Sequence, residues 1–201
     1  MSTPGEREGS NRSPRRRARP ITVTGLETAA AAYVARYDAS SARLRAVLMR
    51  RVLKARRDEA SVIPEVEAVI EGILARYAAA GILDDGRYAE RKAGRLHQRG
   101  VSRRHIREKL KLAGIGRDAI EQALETARGE TAGRGADMDL QAALAFASRR
   151  RLGPFRAPAQ RRERRNRDLA ALGRAGFDLD IARRVIDTDD PDTLLAPETP
   201  S

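Results

Sequence analysis

Apolar residues recur at every third or fourth position along most of this 201-residue chain, which is the spacing that aligns side chains on one face of an α-helix. The clearest run lies between Pro64 and Gly81. No segment shows the alternation of apolar and polar residues that is typical of a half-buried strand. The pattern therefore predicts an all-α protein.

The helical pattern also repeats along the chain. Leu48, Leu110 and Leu172 are separated by one interval (110 − 48 = 172 − 110 = 62), and each lies in a basic segment with a single apolar stripe. The same interval relates Gly114 to Gly176. Self-similarity at a fixed interval predicts a tandem array of small units, whose long surface suits an extended partner.

Turn, cap and linker signals indicate where each unit begins and ends. Asp84, Asp85 and Gly86 predict a turn ahead of a helix start, and residues 129–135 resemble a linker. We therefore expect three tandem three-helix repeats that form an elongated, curved body with disordered tails. The expected division is a disordered basic tail at residues 1–23, a first repeat at 24–83, a second at 84–130, a third at 136–188 and an acidic disordered tail at 189–201.

Charge points to a class of partner. The chain has 40 Lys and Arg against 28 Asp and Glu, which gives a formal net charge of +12. Arginine dominates the cations, and its planar fork matches the geometry of phosphate. Nucleic acid is therefore the first partner that the composition predicts.

The same composition argues against several other classes of function. Cysteine is absent and only His97 and His105 are present, so the chain lacks the residues for a thiolate metal site or a histidine cage. No nucleophile–base pair or carboxylate cluster is visible, and we expect no catalytic, metal-binding or cofactor-binding residues. No apolar run approaches the roughly 20 residues of a membrane span, so we expect a cytoplasmic protein without a membrane partner.

Candidate contact residues surround one face of the middle helix of the second unit. They are Arg99, Arg103, Arg104, Arg107 and Lys111. Arg103, Arg107 and Lys111 are four residues apart, so they lie along one side of the helix. This row can bind phosphates or acidic side chains, or it can be ordinary solvated helix surface.

The third unit has a denser basic run and a basic helix end. The run consists of Arg161, Arg162, Arg164, Arg165 and Arg167, and we expect it to bind a partner because unpaired like charges repel one another at low salt. Arg149, Arg150 and Arg151 end the preceding helix. They can contact the same partner, or they can simply complement the negative end of the helix dipole.

Several motifs resemble the RecX family of recombinase regulators. In the second unit they are residues 80–90 (AGILDDGRYAE), Gly100 and residues 106–110 (IREKL), and in the third unit they are residues 149–156 (RRRLGPFR) and 174–185 (RAGFDLDIARRV). The resemblance as a whole covers about residues 26–188, and the order of the motifs makes it more specific than any one of them.

This resemblance implies a bacterial regulator built from three tandem three-helix repeats, without catalytic residues or cofactors. It implies that the chain, as a monomer, binds the RecA filament on single-stranded DNA and restrains the recombinase, ATPase and coprotease activities of RecA. The alternative is a helical protein that acts directly on duplex DNA, with one middle helix in the major groove.

Overall fold

The computed structural model describes residues 19–132 and 138–195, apart from the side chains at 130–132 and 195. Within these ranges the chain forms nine α-helices and two short 3₁₀ helices, which confirms the prediction of an all-α fold. The α-helices are α1 (Val23–Val34), α2 (Ser41–Arg57), α3 (Val66–Ala79), α4 (Asp85–Gln98), α5 (Arg103–Leu112), α6 (Arg117–Ala132), α7 (Met138–Arg150), α8 (Pro158–Arg174) and α9 (Leu179–Asp187). The 3₁₀ helices are Gly153–Phe155 and Pro191–Leu195.

The helices pack as three successive sets of three, and each set has its own apolar core. Leu48 of α2, Leu110 of α5 and Leu172 of α8 are each completely buried, at the centre of the first, second and third core. The interval of 62 residues in the sequence thus corresponds to a structural repeat in which the middle helix of each set carries the central leucine. No helix in the described residues is both long enough and apolar enough to cross a membrane.

The ends of the described chain differ from the predicted tails. Ile21, expected in the first tail, forms a bridge with Val62 and donates its backbone N–H to the Ser61 carbonyl at 2.9 Å. At the other end, residues 191–195 form a 3₁₀ helix, and Leu194 packs against the third core. Both segments are ordered because an apolar side chain reaches a core. Residues 1–18 and 196–201 of the predicted tails lie outside the described residues.

The predicted linker at residues 129–135 also begins differently. Helix α6 continues through Gly129 as far as Ala132, because one glycine inside a helix costs only about 1 kcal/mol relative to alanine. Residues 133–135 of that linker lie outside the described residues.

Two equivalent junctions join the three units. Ser40 Oγ accepts from the Arg43 backbone N–H within its own helix and donates to the Ala113 carbonyl, at 2.6 Å, at the end of α5. Ser102 Oγ caps α5 in the same way and donates to the Ala175 carbonyl, at 2.7 Å, at the end of α8. The beginning of each middle helix therefore meets the end of the next middle helix, and the opposite ends of the helix dipoles face each other.

A glycine completes each junction. Gly114 and Gly176 have positive φ of 77° and 84°, as expected for helix ends. A Cβ added at Gly114 would lie 2.2 Å from the Ala42 Cβ, and one at Gly176 would lie 2.6 Å from Ser102 Oγ. Side chains at these positions would separate the units, so the close contact requires glycine.

Candidate nucleic-acid interface

The row of cations on α5 is partly neutralised within the second unit. Arg107 donates to both carboxylate oxygens of Glu121 on α6, at 2.9 and 3.0 Å, and Arg103 Nη2 lies 3.7 Å from the same carboxylate. The hydrogen bond between Arg107 and Glu121 is the main cause of a raised pKa for Arg107 and a lowered pKa for Glu121. Of the described carboxylates, none lies within 4.0 Å of Lys111 at the end of this row.

The dense run on α8 is divided between internal contacts and solvent. Arg161 donates to the carbonyl oxygens of Pro154, at 2.6 Å, and Arg156, at 3.1 Å. Arg165 donates twice to the Asp187 carboxylate, each time at 2.6 Å. This pairing lowers the pKa of Asp187 and raises the pKa of Arg165, mainly through the hydrogen bonds. Arg161 and Arg165 therefore hold α8 to its neighbours.

The other members of the α8 run have weaker contacts. Arg164 Nε lies 3.7 Å from a carboxylate oxygen of its neighbour Glu163, which is a loose and exposed pairing. Arg162 and Arg167 are exposed, and no carboxylate in the described part of the chain lies within 4.0 Å of them. The run predicted as one binding surface thus separates into structural arginines and solvent-facing arginines.

Asp168 is a buried carboxylate that pairs with an arginine, and the sequence pattern did not predict this pairing. It is 2% exposed, and its carboxylate accepts from the Gly153 N–H at 2.9 Å and from Arg156 at 2.9 and 3.2 Å. One signal was available: Asp168 precedes the buried Leu172 by four residues, which places it on the apolar face of α8. An acid on that face after five arginines indicates a buried ion pair.

The end of α7 brings further predicted cations to the junction between the second and third units. A Cβ added at Gly100 would lie 2.8 Å from Arg149 Nη2, so the Arg149 guanidinium lies directly against the Gly100 backbone. The Arg150 guanidinium lies over the ring of Phe146, 4.9 Å from its centroid, in cation–π geometry. Arg151 has a positive φ of 53° and follows the last residue of α7.

A basic cleft opens at this junction, and we call it the junction cleft. It is lined by Arg99, Gly100, Val101, His105, Lys109, Phe146, Arg149, Arg150 and Ala175. Three predicted contacts, Arg99, Arg149 and Arg150, come together here, and no acidic residue is among the lining residues. An anion in this cleft would be surrounded by cations from α4, α5 and α7.

The other predicted contacts lie outside the lining of the junction cleft. They are Arg103, Arg104, Arg107, Lys111, Arg151, Arg161, Arg162, Arg164, Arg165 and Arg167. Conversely, Lys109 and Phe146 line the cleft although the sequence did not single them out. Neither could be selected from local spacing, because the three helices that form the cleft meet only after the units have packed together.

Metal binding and the two histidines can also be assessed from the described residues. Within residues 19–132 and 138–195, no group of three or more His, Asp or Glu side chains could hold a metal ion. His97 is buried, and its Nε2 lies 3.0 Å from the Met138 carbonyl. His97 therefore connects α4 to the start of α7.

Comparisons with known proteins give a consistent family. A family model described as RecX, second three-helix domain, matches residues 84–124. This match contains α4, α5 and the first half of α6. No solved structure matches the chain significantly.

Three relatives named Regulatory protein RecX extend the similarity beyond that domain. The protein from Myxococcus xanthus (strain DK1622) is 38% identical over 174 residues, which are 86% of this chain and 90% of the relative. The protein from Thermobifida fusca (strain YX) is 30% identical over 72% of this chain and 77% of its own length. The protein from Agrobacterium fabrum (strain C58) is 31% identical over 52% of this chain and 51% of its own length.

Proposed function

This chain belongs to the RecX family of regulatory proteins, and we propose that it binds the RecA filament on single-stranded DNA and restrains the recombinase, ATPase and coprotease activities of RecA. The observation that carries the proposal is the similarity to a regulatory protein over 86% of the chain. In this proposal the chain acts as a monomer in the bacterial cytoplasm, without a catalytic step or a cofactor.

The tandem architecture supports a filament as the partner. A filament presents the same binding surface at regular intervals, and three units joined end to end can contact several subunits at once. Tethering converts the second and third contacts into intramolecular events, so weak individual contacts produce a high overall affinity. The junction hydrogen bonds from Ser40 and Ser102 hold the three units in a defined order along this surface.

The distribution of charge supports a nucleoprotein partner. The net charge is +12, and several cations of the second and third units have no described carboxylate within 4.0 Å, among them Arg99, Arg149, Arg150, Arg162 and Arg167. Such a surface accelerates encounter with a polyanion, whereas shape and apolar contacts give specificity. We infer that DNA within the filament provides part of the binding energy and that RecA provides the specificity.

The alternative is a protein that acts directly on duplex DNA. It predicts that the chain binds naked duplex DNA at least as tightly as it binds the RecA filament. The test is co-sedimentation of the full chain with RecA filaments formed on single-stranded DNA with a slowly hydrolysed ATP analogue. Naked single-stranded DNA and naked duplex DNA at the same salt and nucleotide concentration are the controls. Filament regulation predicts at least about tenfold tighter binding to the filament than to either DNA, since several tethered contacts add. Equal or tighter binding to naked duplex would contradict it.

A further inference from the structure

The two inter-unit junctions share one architecture but differ in charge. Asp38 and Gly100 stand at the same place, two residues before the capping serine of a middle helix (40 − 38 = 102 − 100 = 2). At the first junction Asp38 accepts from Arg91 at 2.6 Å and from Arg95 at 3.0 Å. The second junction has a glycine in place of this carboxylate.

Arg95 at the first junction also corresponds to Arg149 at the second, whereas Arg91 corresponds to Ala145. Asp85 accepts from the Ser41 N–H, and Asp139 accepts from the Arg103 N–H, at 2.8 and 2.7 Å. Arg95 and Arg149 each follow the accepting aspartate by ten residues (95 − 85 = 149 − 139 = 10). Arg95 is neutralised by Asp38, whereas Arg149 has no described carboxylate within 4.0 Å.

The absence of a side chain at Gly100 also leaves room for the Arg149 guanidinium. Its φ is +65°, and a Cβ added there would lie 2.7 Å from the Ala142 carbonyl and 2.8 Å from Arg149 Nη2. Any side chain at this position would push Arg149 away or separate α4 from α7. Gly100 therefore allows the close approach of the units and keeps the mouth of the junction cleft open to an anion.

The remaining lining of the junction cleft suits a nucleic acid strand. Arg99 and Lys109 add two more cations without a described carboxylate within 4.0 Å. Phe146 is half-buried and contacts Phe177 with a centroid distance of 5.9 Å, so its ring is held in place beneath Arg150. A guanidinium stacked on a fixed ring offers both a donor for phosphate and a flat surface for a base.

We propose that the junction cleft is a phosphodiester-binding site, in which Arg99, Lys109, Arg149 and Arg150 hold the backbone of a single nucleic acid strand across the second and third units. The ligand offsets the mutual repulsion of these cations, as Asp38 offsets that of Arg91 and Arg95 at the first junction. This inference rests on the proposed function, because it assigns the DNA of the filament to a particular site.

The test uses the full chain and a fluorescein-labelled oligothymidylate, with binding followed by fluorescence anisotropy in the absence of RecA. The cleft variant is Arg149→Glu with Arg150→Glu, and the matched control is Arg50→Glu with Arg51→Glu on α2. Both pairs are adjacent, exposed and free of described carboxylate partners, and both change the net charge equally. Circular dichroism verifies that each variant retains its helices.

The cleft variant should weaken binding about tenfold or more and lower the slope of log affinity against log salt by about 1.4, because two phosphate contacts on a single strand are lost. The control should weaken binding less than about threefold, through long-range charge alone. Equal weakening by both variants would overturn the proposal, since charge would then act without a particular site.

A third variant tests the comparison between the junctions. Asp38→Asn frees Arg91 and Arg95, so it should tighten oligothymidylate binding about twofold to threefold by adding cations to the surface. Unchanged or weaker binding by a helical Asp38→Asn protein would contradict the role assigned to Asp38.

The failure of this site and the failure of the proposed function can be distinguished by repeating the comparison with RecA present. If the cleft variant keeps its affinity for oligothymidylate but loses inhibition of RecA, the cleft holds an acidic surface of the recombinase. That result overturns the phosphodiester site and leaves the proposed function standing. If the wild-type chain binds oligothymidylate through the cleft but leaves RecA activity unchanged, the site stands and the proposed function fails.

Discussion

At the scale of single residues, the arginines of this chain differ in whether they pair with a carboxylate. Arg156 is paired with the buried Asp168, and Arg165 is paired with Asp187. Charge reversal at Arg165 would therefore disturb the packing of α8 on α9 as well as the surface charge. Arg162 and Arg167 are better positions for testing the effect of charge alone, because both are exposed without a described carboxylate nearby.

Asp168 should be important for stability rather than for binding. Asp168→Asn places an amide donor against the donors of Gly153 or Arg156 and leaves the partly exposed Arg156 guanidinium without its carboxylate partner. We expect this variant to lose about 2 kcal/mol of the free energy of unfolding in urea, because a buried hydrogen-bonding group is left unsatisfied. Glu163→Gln on the same helix is the control, and it should lose less than about 0.5 kcal/mol because its ion pair is loose and exposed. Similar losses in both variants would show that Asp168 has no special structural role.

Acid should destabilise the protein through carboxylates that are paired with arginine. Arginine pairing lowers the pKa of Asp38, Glu121 and Asp187. Each pairing stabilises the fold above the unfolded pKa of about 4, and this stabilisation is lost as pH falls through the lower folded pKa. The free energy of unfolding should therefore decrease below about pH 4 in urea titrations. Glu121→Gln should lower it at pH 7 and reduce the decrease in acid; an unchanged acid dependence would exclude Glu121 as a contributor.

Sequence spacing predicted the cations of the second and third units but not their partners. Arg103, Arg107 and Lys111 do share one side of α5, yet Glu121 on α6 pairs with the first two. A pairing between helices depends on how they pack, which the spacing within one helix does not determine. Only the folded chain therefore distinguishes the arginines that pair with a described carboxylate from those that do not.

At the scale of secondary-structure elements, a single serine hydroxyl both caps a middle helix and joins it to the next unit. Ser102 accepts from the His105 N–H and donates to the Ala175 carbonyl. By contrast, Thr22 caps α1 by accepting from the Gly25 N–H, and it is exposed. Both residues cap a helix, but only Ser102 also bonds to the next unit. Comparing alanine variants at the two positions therefore separates the free energy of the junction hydrogen bond from that of the cap.

Ser102→Ala should cost about 2 kcal/mol, because it removes a cap and leaves the Ala175 carbonyl without its donor. Thr22→Ala should cost about 1 kcal/mol, because it removes a cap alone. Chemical unfolding monitored by circular dichroism gives both values. If the two variants lose equal stability, the hydrogen bond between the units contributes nothing beyond the cap.

The sequence pattern predicted the positions of the helices better than the residues at which they begin. The buried leucines at 48, 110 and 172 follow from the period of the apolar stripe. Helix α1 begins at Val23, the last residue of the predicted basic tail, and α8 begins at Pro158, before its apolar stripe. Their first turns are set by Thr22 as a cap and by Pro158 as the first helical residue, which are local signals that apolar periodicity does not contain.

At the scale of the whole molecule, three small cores are connected by polar junctions rather than by one continuous core. The interval of 62 residues predicted this repetition, and the resemblance predicted the family to which the chain belongs. The junction cleft could not be predicted, because it is formed by residues from α4, α5, α7 and the end of α8. Its contacts exist only when adjacent units are in their final arrangement.

The measurement that tests the central claim most directly is ATP hydrolysis by RecA on single-stranded DNA as this protein is added. The wild-type chain and the Arg50→Glu/Arg51→Glu control should inhibit hydrolysis at well below one copy per RecA subunit. The Arg149→Glu/Arg150→Glu variant should need about tenfold more protein for the same inhibition, as its loss of phosphate contacts predicts. Uninhibited hydrolysis at a wild-type concentration that saturates the DNA would contradict filament regulation and favour direct action on DNA.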